Sequence, residues 1–221
     1  MTMGLRELKK EQTRTLIADT AWRLFADRGF DAVRVAEIAR EAHVSEATVF
    51  NYFPRKEDLL YSRLEAFEER LVAAVDSRSP DESVLGAVRN FLLAPAGLLA
   101  QVEAGDDEAV VRLRTVNRMV ADSPALRARE QQAIADATAA LAARLTAEES
   151  AASRGGAVGV TAYVAANALM GVHRALIDLV RQRALADESP DRLAADVREY
   201  GAEAFALLSQ GFANYGVRPP S

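Results

Sequence analysis

Residues 33–60, VRVAEIAREAHVSEATVFNYFPRKEDLL, limit what this chain can become more than any other stretch. Two short segments with helical apolar spacing flank the tetrapeptide AHVS. An aromatic cluster, a proline and a basic pair follow. Val35, Ile38 and Ala39 mark the first helix. SEATVFNYF is the second, with Ser45 as its N-cap, because a serine hydroxyl accepts from an otherwise unpaired amide of the first turn. Val49 and Phe53 are four residues apart and share a face. With Val44 they are expected to pack onto Ile38 and the preceding helix. The opposite stripe then carries Glu46, Ala47, Phe50 and Asn51, edged by Ser45, Thr48 and Tyr52. A core accounts for Val49 and Phe53. It does not account for a polar ladder on the other side of the same short helix. Two helices joined by a tight turn make a helix-turn-helix. A helix of this size fits the major groove of B-DNA, and its N-terminus presents free N–H groups to phosphate.

The helical period continues through the rest of the chain. Leu16, Ile17, Ala21, Leu24 and Phe25 form one face of a helix over 13–27, which DRGF ends with Gly29 in a left-handed cap. A longer amphipathic helix from Glu57 to Val75 carries Leu59, Leu60, Leu64, Phe67, Leu71 and Val75. Further helices are expected over 83–99, 107–121, 125–147, 155–186 and 191–214, separated by AGDDE, DSP, SRGG and DESPD. No alternating β-branched run suggests a strand. The expected fold is all-α, with an N-terminal three-helix helix-turn-helix DNA-binding domain over 1–56 and a larger helical-bundle ligand-binding and dimerisation domain over 57–221.

Net charge enters as an apparent objection, since the chain of 221 residues carries −5. What matters for a polyanion is where the charge sits. Residues 1–60 hold ten Lys/Arg and ten Asp/Glu, so the remainder carries the whole deficit. Cations gather in the N-terminal arm and at PRK, just after the aromatic cluster. The absence of cysteine excludes a disulfide framework, a thiolate zinc site and a cysteine nucleophile. The two histidines, His43 and His173, are far apart, and no spacing supports a metal or another cofactor. No nucleophile elbow or phosphate-binding loop is present, so no enzymatic activity is expected. The N-terminus lacks the apolar core of a signal peptide, and FLLAPAGLLA at 91–100 is too short to span a bilayer. A cytoplasmic protein with no membrane partner is expected.

The run LFADRGFDAVRVAEIAREAHVSEATVFNYFPRKEDLL resembles the N-terminal DNA-binding domain of the TetR family of transcriptional regulators. The pattern is an aromatic and a glycine after the first helix, then V-x-x-I-A, V-S-x-x-T, an aromatic cluster ending in F, and then K and L. The resemblance covers about the first quarter of the chain. It implies a homodimer that binds a palindromic double-stranded DNA operator and is released by a small-molecule effector. It also implies that Ser45, Thr48, Tyr52 and Lys56 bind phosphates, while Asn51 and its neighbours read bases. Three positions depart from the pattern. Val33 and Arg34 stand where Thr or Ser is usual, which leaves Asp31 to cap the second helix and Arg34 to reach a phosphate. His43 replaces the turn glycine. Phe50 replaces a tyrosine and can touch a thymine methyl. Glu46 either accepts from a cytosine amino group or favours the positive helix N-terminus. A second reading, a helical adaptor acting through protein contacts without specific DNA recognition, rests on Val33 and Phe50.

The larger domain is less patterned. The segment 155–186 is apolar around much of its circumference but carries one polar row, Tyr163, Asn167, Gly171, Arg174 and Asp178. The first half of that row is expected to wall a ligand cavity. The second half, with Gly171 and Arg174, is expected at a dimer seam completed by Ala204 and Leu208 of the last helix. The cavity is expected between the helices at 83–99, 107–121 and 155–170. Phe91, Leu92, Leu98, Leu99, Leu113, Val116, Met119 and Val120 would line it; Arg114, Asn117, Tyr163 and Asn167 would fix an anionic or carbonyl group of a hydrophobic organic ligand.

Overall fold

The computed structural model of the chain describes residues 5–61, 67–94, 97–152 and 159–211. Among these there are eleven helices and no strand. The chain divides into two compact units. The first comprises residues 1–66 together with Arg118–Glu130, and the second Phe67–Asn117 with the remainder. The expected boundary at residue 56 is therefore too early, and it misses a second contribution from the middle of the chain.

In the first unit, α1 (Leu5–Arg28), α2 (Val35–Glu41), α3 (Glu46–Tyr52) and α4 (Lys56–Tyr61) enclose one apolar core. Ile17, Ala21, Phe25, Ile38, Val49 and Phe53 are its fully buried centre. Leu16, expected on the inward face of α1, is instead 51% exposed. The inward row runs Ile17, Thr20, Ala21, Phe25, and Leu16 sits a hundred degrees off it. Gly29 ends α1 at φ +82, as DRGF requires. The end of α8 (Asp107–Asp122) and the start of α9 (Pro124–Ala152) supply Met119, Val120 and Leu126 to the same core. Polar links fasten this corner. The Ser123 hydroxyl donates to the Asp31 carboxylate at 3.0 Å, and the Tyr61 hydroxyl to the Leu126 carbonyl at 3.1 Å. Arg129 reaches the buried Asp58 at 2.7 Å. Asp31 is thus committed to Ser123, and no side chain caps α2.

The second unit contains α5 (Phe67–Asp76), α6 (Val84–Leu93), α7 (Gly97–Glu103), most of α8 and α9, α10 (Val160–Leu185) and α11 (Pro190–Gln210). The single helix expected over 83–99 is two helices. Ala94 leaves the helical region at ψ 135, as a residue before proline must. Pro95 itself, the side chains of Leu98 and Leu99, the segment 62–66 with Leu64, and Phe212 lie outside the described residues. Leu71, Val88, Leu141, Met170 and Phe205 lie at the heart of the unit's core. Gly201 is buried where α11 meets α6, and a Cβ there would run into Leu93. By length and composition α10 could cross a bilayer. Here its apolar side packs into the core, and its Arg183 pairs with Asp196 of α11 at 2.7 Å.

Candidate nucleic-acid interface and ligand cleft

The turn between α2 and α3 is a Schellman motif built without glycine. Val44 N–H donates to Ala39 at 2.9 Å and His43 N–H to Arg40 at 3.2 Å, while His43 occupies the left-handed region at φ 55. Histidine is among the side chains that tolerate this region best. Ser45 follows in extended backbone and caps α3. Its hydroxyl accepts from Thr48 N–H at 3.0 Å and shares a hydrogen bond with the Thr48 hydroxyl at 2.7 Å. Phe53 ends the helix in an extended conformation just before Pro54. The polarity of α3 follows. Val49 and Phe53 are buried with Ile38 beneath it, whereas Phe50 is 45% exposed. Ser45, Glu46, Ala47 and Asn51 are exposed beside Phe50, and Thr48 and Tyr52 lie half-buried at the edges. One short helix is thus fixed by one face and open along the other.

Cations flank that open face. The guanidinium groups of Arg34 and Arg55 are exposed and join no ion pair among the described residues. Arg28 and Arg23 are spent on Glu37 (2.6 Å) and Glu41 (3.2 Å). The Arg28 hydrogen bond, above all, lowers the Glu37 pKa. Lys56 is differently engaged. Its ammonium donates to the Phe30 carbonyl at 2.6 Å and lies 4.2 Å from the Phe30 ring centre. Burial pushes its pKa below the usual lysine value, with Asp31, Glu57 and Glu37 opposing the shift. Lys56 therefore ties α4 to the turn after α1, a role its position in sequence does not reveal.

In the second unit a cleft of about 520 Å³ opens between α6, α9, α10 and α11. Val84, Leu85, Leu145, Leu169 and Leu208 line it with Ala162, Ala165 and Ala168, and Glu148 and Glu149 are its charged residues. None of the ten described residues expected at a ligand cavity is among them, and the walls include α9 but not α8. The reason is that α8 is divided between two cores. Leu113 packs in the second unit, and Val120 in the first. Phe91 and Leu92 pack against the second core, with Phe91 5.4 Å from Phe67. The buried Asn117 amide is spent on the Leu113 carbonyl of its own helix at 2.8 Å. Arg114 pairs with Asp187 at 3.3 Å and donates to the Glu188 carbonyl at 3.1 Å, holding the α10–α11 turn. Tyr163 is 60% exposed and Asn167 is exposed, so they share an outer face of α10 with Gly171 and Arg174. Ala204 and Leu208, expected at the dimer seam, instead pack partly buried against the core, and Leu208 lines the cleft. The signal in the sequence is the run of small side chains on α10, Ala162, Ala165 and Ala168, which leaves space beside the helix.

Comparison with known proteins bears on both units. The family model described as bacterial regulatory proteins, tetR family, matches residues 17–62. The transcriptional regulator TcmR of Streptomyces glaucescens is 31% identical over 107 residues, covering 48% of this chain and 46% of that protein. The chain thus spans about half the length of this curated relative. Among solved structures, the SmeT–triclosan complex superposes with a TM-score of 0.52 at 17% identity, covering 87% of this chain and 91% of that one. Native NalD, the secondary repressor of the MexAB-OprM efflux pump in Pseudomonas aeruginosa, gives 0.51 at 21% identity over 88% and 96%. These structural likenesses carry the fold, and the matched segment carries the helix-turn-helix. That segment coincides with α3 and the core that orients it, so it is over residues 17–62 that the chain is similar to the tetR family of bacterial regulatory proteins.

Proposed function

We propose that this chain is a homodimeric, DNA-binding transcriptional regulator of the cytoplasm, a repressor released from a palindromic operator by a small hydrophobic organic molecule. The observation that carries the reading is the two-faced α3, capped at Ser45 and seated on Val49 and Phe53, with Glu46, Ala47, Phe50 and Asn51 turned outward. A narrow exposed stripe with free backbone N–H groups at its start suits a major groove. Asn51 is assigned to a base edge. Ser45, Thr48, Tyr52, Arg34 and Lys56 are assigned to phosphates, Lys56 with the donors its Phe30 contact leaves. The ligand reading is supported by the apolar cleft and by the triclosan complex of SmeT, whose fold this chain shares. A ligand would shift DNA affinity by its differential affinity for two states of the protein.

Anisotropy titrations on the DNA flanking the chain's own gene test the reading. Asn51→Ala is expected to cost about 1–3 kcal/mol on the operator and to leave binding to unrelated DNA unchanged. Arg34→Ala should weaken both and reduce the salt-dependence slope by about one. Equal loss on every sequence for Asn51→Ala would remove its base-reading role, and absence of any operator preference in the wild type would remove the proposal.

Dimerisation is assigned to the outer face of α10. Val160, Tyr163 and Val164 are each about 60% exposed there, in line with Asn167, Gly171, Arg174 and Ala175. Exposed apolar side chains at helical spacing with a glycine and an alanine among them suit close approach of a second helix. Two reading heads would then meet DNA roughly 34 Å apart. Val164→Arg should give monomers in light scattering and weaken operator binding; an unchanged dimer would move the interface elsewhere.

A further inference from the structure

We propose that the cleft between α6, α9, α10 and α11 selects amphipathic organic cations: an aliphatic body with a single amine or quaternary ammonium group. This rests on the reading of the second unit as the ligand-receiving part of the protein. The volume of about 520 Å³ is that of a site for a drug-sized molecule. Apart from the two glutamates the described walls are aliphatic, with Leu85, Leu145, Leu169 and Leu208 as the largest apolar side chains and, among the described residues, no ring to stack on a flat aromatic. The polar contribution is one-sided, because among the described residues the charged ones lining the cleft are Glu148 and Glu149.

The charges around Glu148 cancel. Arg78 forms an ion pair with it, and Arg144 lies 3.4 Å from its other oxygen. Arg144 also pairs with Asp76, and Arg78 donates to the Val75 carbonyl at 2.7 Å. Both guanidinium groups are held by these contacts, so neither is free to turn to a ligand anion. Two cations and two carboxylates thereby balance. Glu149 is left over: it is half-buried, lines the cleft, and makes no hydrogen bond or ion pair among the described residues. A carboxylate beside aliphatic walls is poorly screened, so it attracts a ligand cation more strongly than in open water and repels an anion by the same rule. Apolar burial supplies affinity for the body of the ligand, and Glu149 sets the sign of its head.

Isothermal titration of the full chain without DNA tests this with decyltrimethylammonium and decyl sulfate, both kept below micelle formation. The cation is expected to bind about tenfold or more tighter than the anion. Glu149→Gln should remove most of that preference, and Ala168→Phe, which fills the cleft, should abolish binding of both. Thermal melting of each variant establishes that it is folded. Equal or tighter binding of decyl sulfate, an unchanged preference in Glu149→Gln, or binding that survives Ala168→Phe would each overturn the proposal. Because binding is read without DNA, such a failure leaves operator recognition intact, while loss of operator recognition leaves the ligand class intact.

Discussion

Phe53→Ala is expected to cost about 3–5 kcal/mol of stability and to abolish specific DNA binding, whereas Phe50→Ala should leave stability within about 0.5 kcal/mol. The two rings lie three residues apart in one heptapeptide, yet they do opposite work. Phe53 is fully buried among Ile17, Ile38 and Val49, and the Arg14 guanidinium lies 4.8 Å from its ring centre. Truncation there opens a cavity in a small core that cannot collapse around it, because α1, α2 and α3 all converge on that ring. A loss of that size consumes much of what a domain of this scale possesses. Phe50 is 45% exposed on the outward stripe and, among the described residues, belongs to neither apolar core. Its loss should appear instead as weaker operator binding with the fold intact. Chemical denaturation and anisotropy on the same two variants check both halves. Comparable midpoints for the two variants would mean that the assignment of faces on α3 is wrong.

The second large effect concerns acidity. His173 stacks on Phe67 with ring centres 4.5 Å apart and planes 14° from parallel. Partial burial lowers its pKa from 6.5 to about 4, because the imidazolium is less well solvated there than in water. The neutral ring is therefore the folded form. Between pH 4 and 6.5 the unfolded chain binds a proton that the folded chain refuses, so stability rises with pH across that window. The contribution is complete above pH 6.5 and is lost as pH falls towards 4, a change of roughly 3 kcal/mol. His173→Phe keeps an aromatic against Phe67 and removes the proton. Urea unfolding at pH 7, 5.5 and 4.5 should show a smaller acid loss in the variant, by about 2.5 kcal/mol at the lowest pH. Parallel pH profiles for the two proteins would show that His173 does not control the acid transition.

Local chemistry determined much of the first unit. Ser45 before an apolar-periodic segment specified its own cap, because the hydroxyl and the amide it satisfies are three residues apart. Val49 and Phe53 against Phe50 and Asn51 specified the two faces of α3, because a helix of 3.6 residues per turn leaves no other assignment. The turn at His43 was also readable, since the residues on either side fix where the chain must reverse. What the sequence could not decide were partners distant along the chain. Asp31 could reach the start of α2, but Ser123, ninety-two residues away, holds it. Lys56 was a phosphate candidate by pattern, and only the packing of α4 shows its ammonium on the Phe30 carbonyl. The same limit governs the cleft. Periodicity marked Leu113 and Val120 as equally apolar on one helix, yet they enter different cores, because α8 runs from one unit into the other. Tyr163 and Asn167 were polar residues on an apolar helix, and either an inner wall or an outer face would satisfy that pattern. Which side of α10 is covered depends on where α6, α9 and α11 lie, and that is a property of the packed unit, not of any one helix.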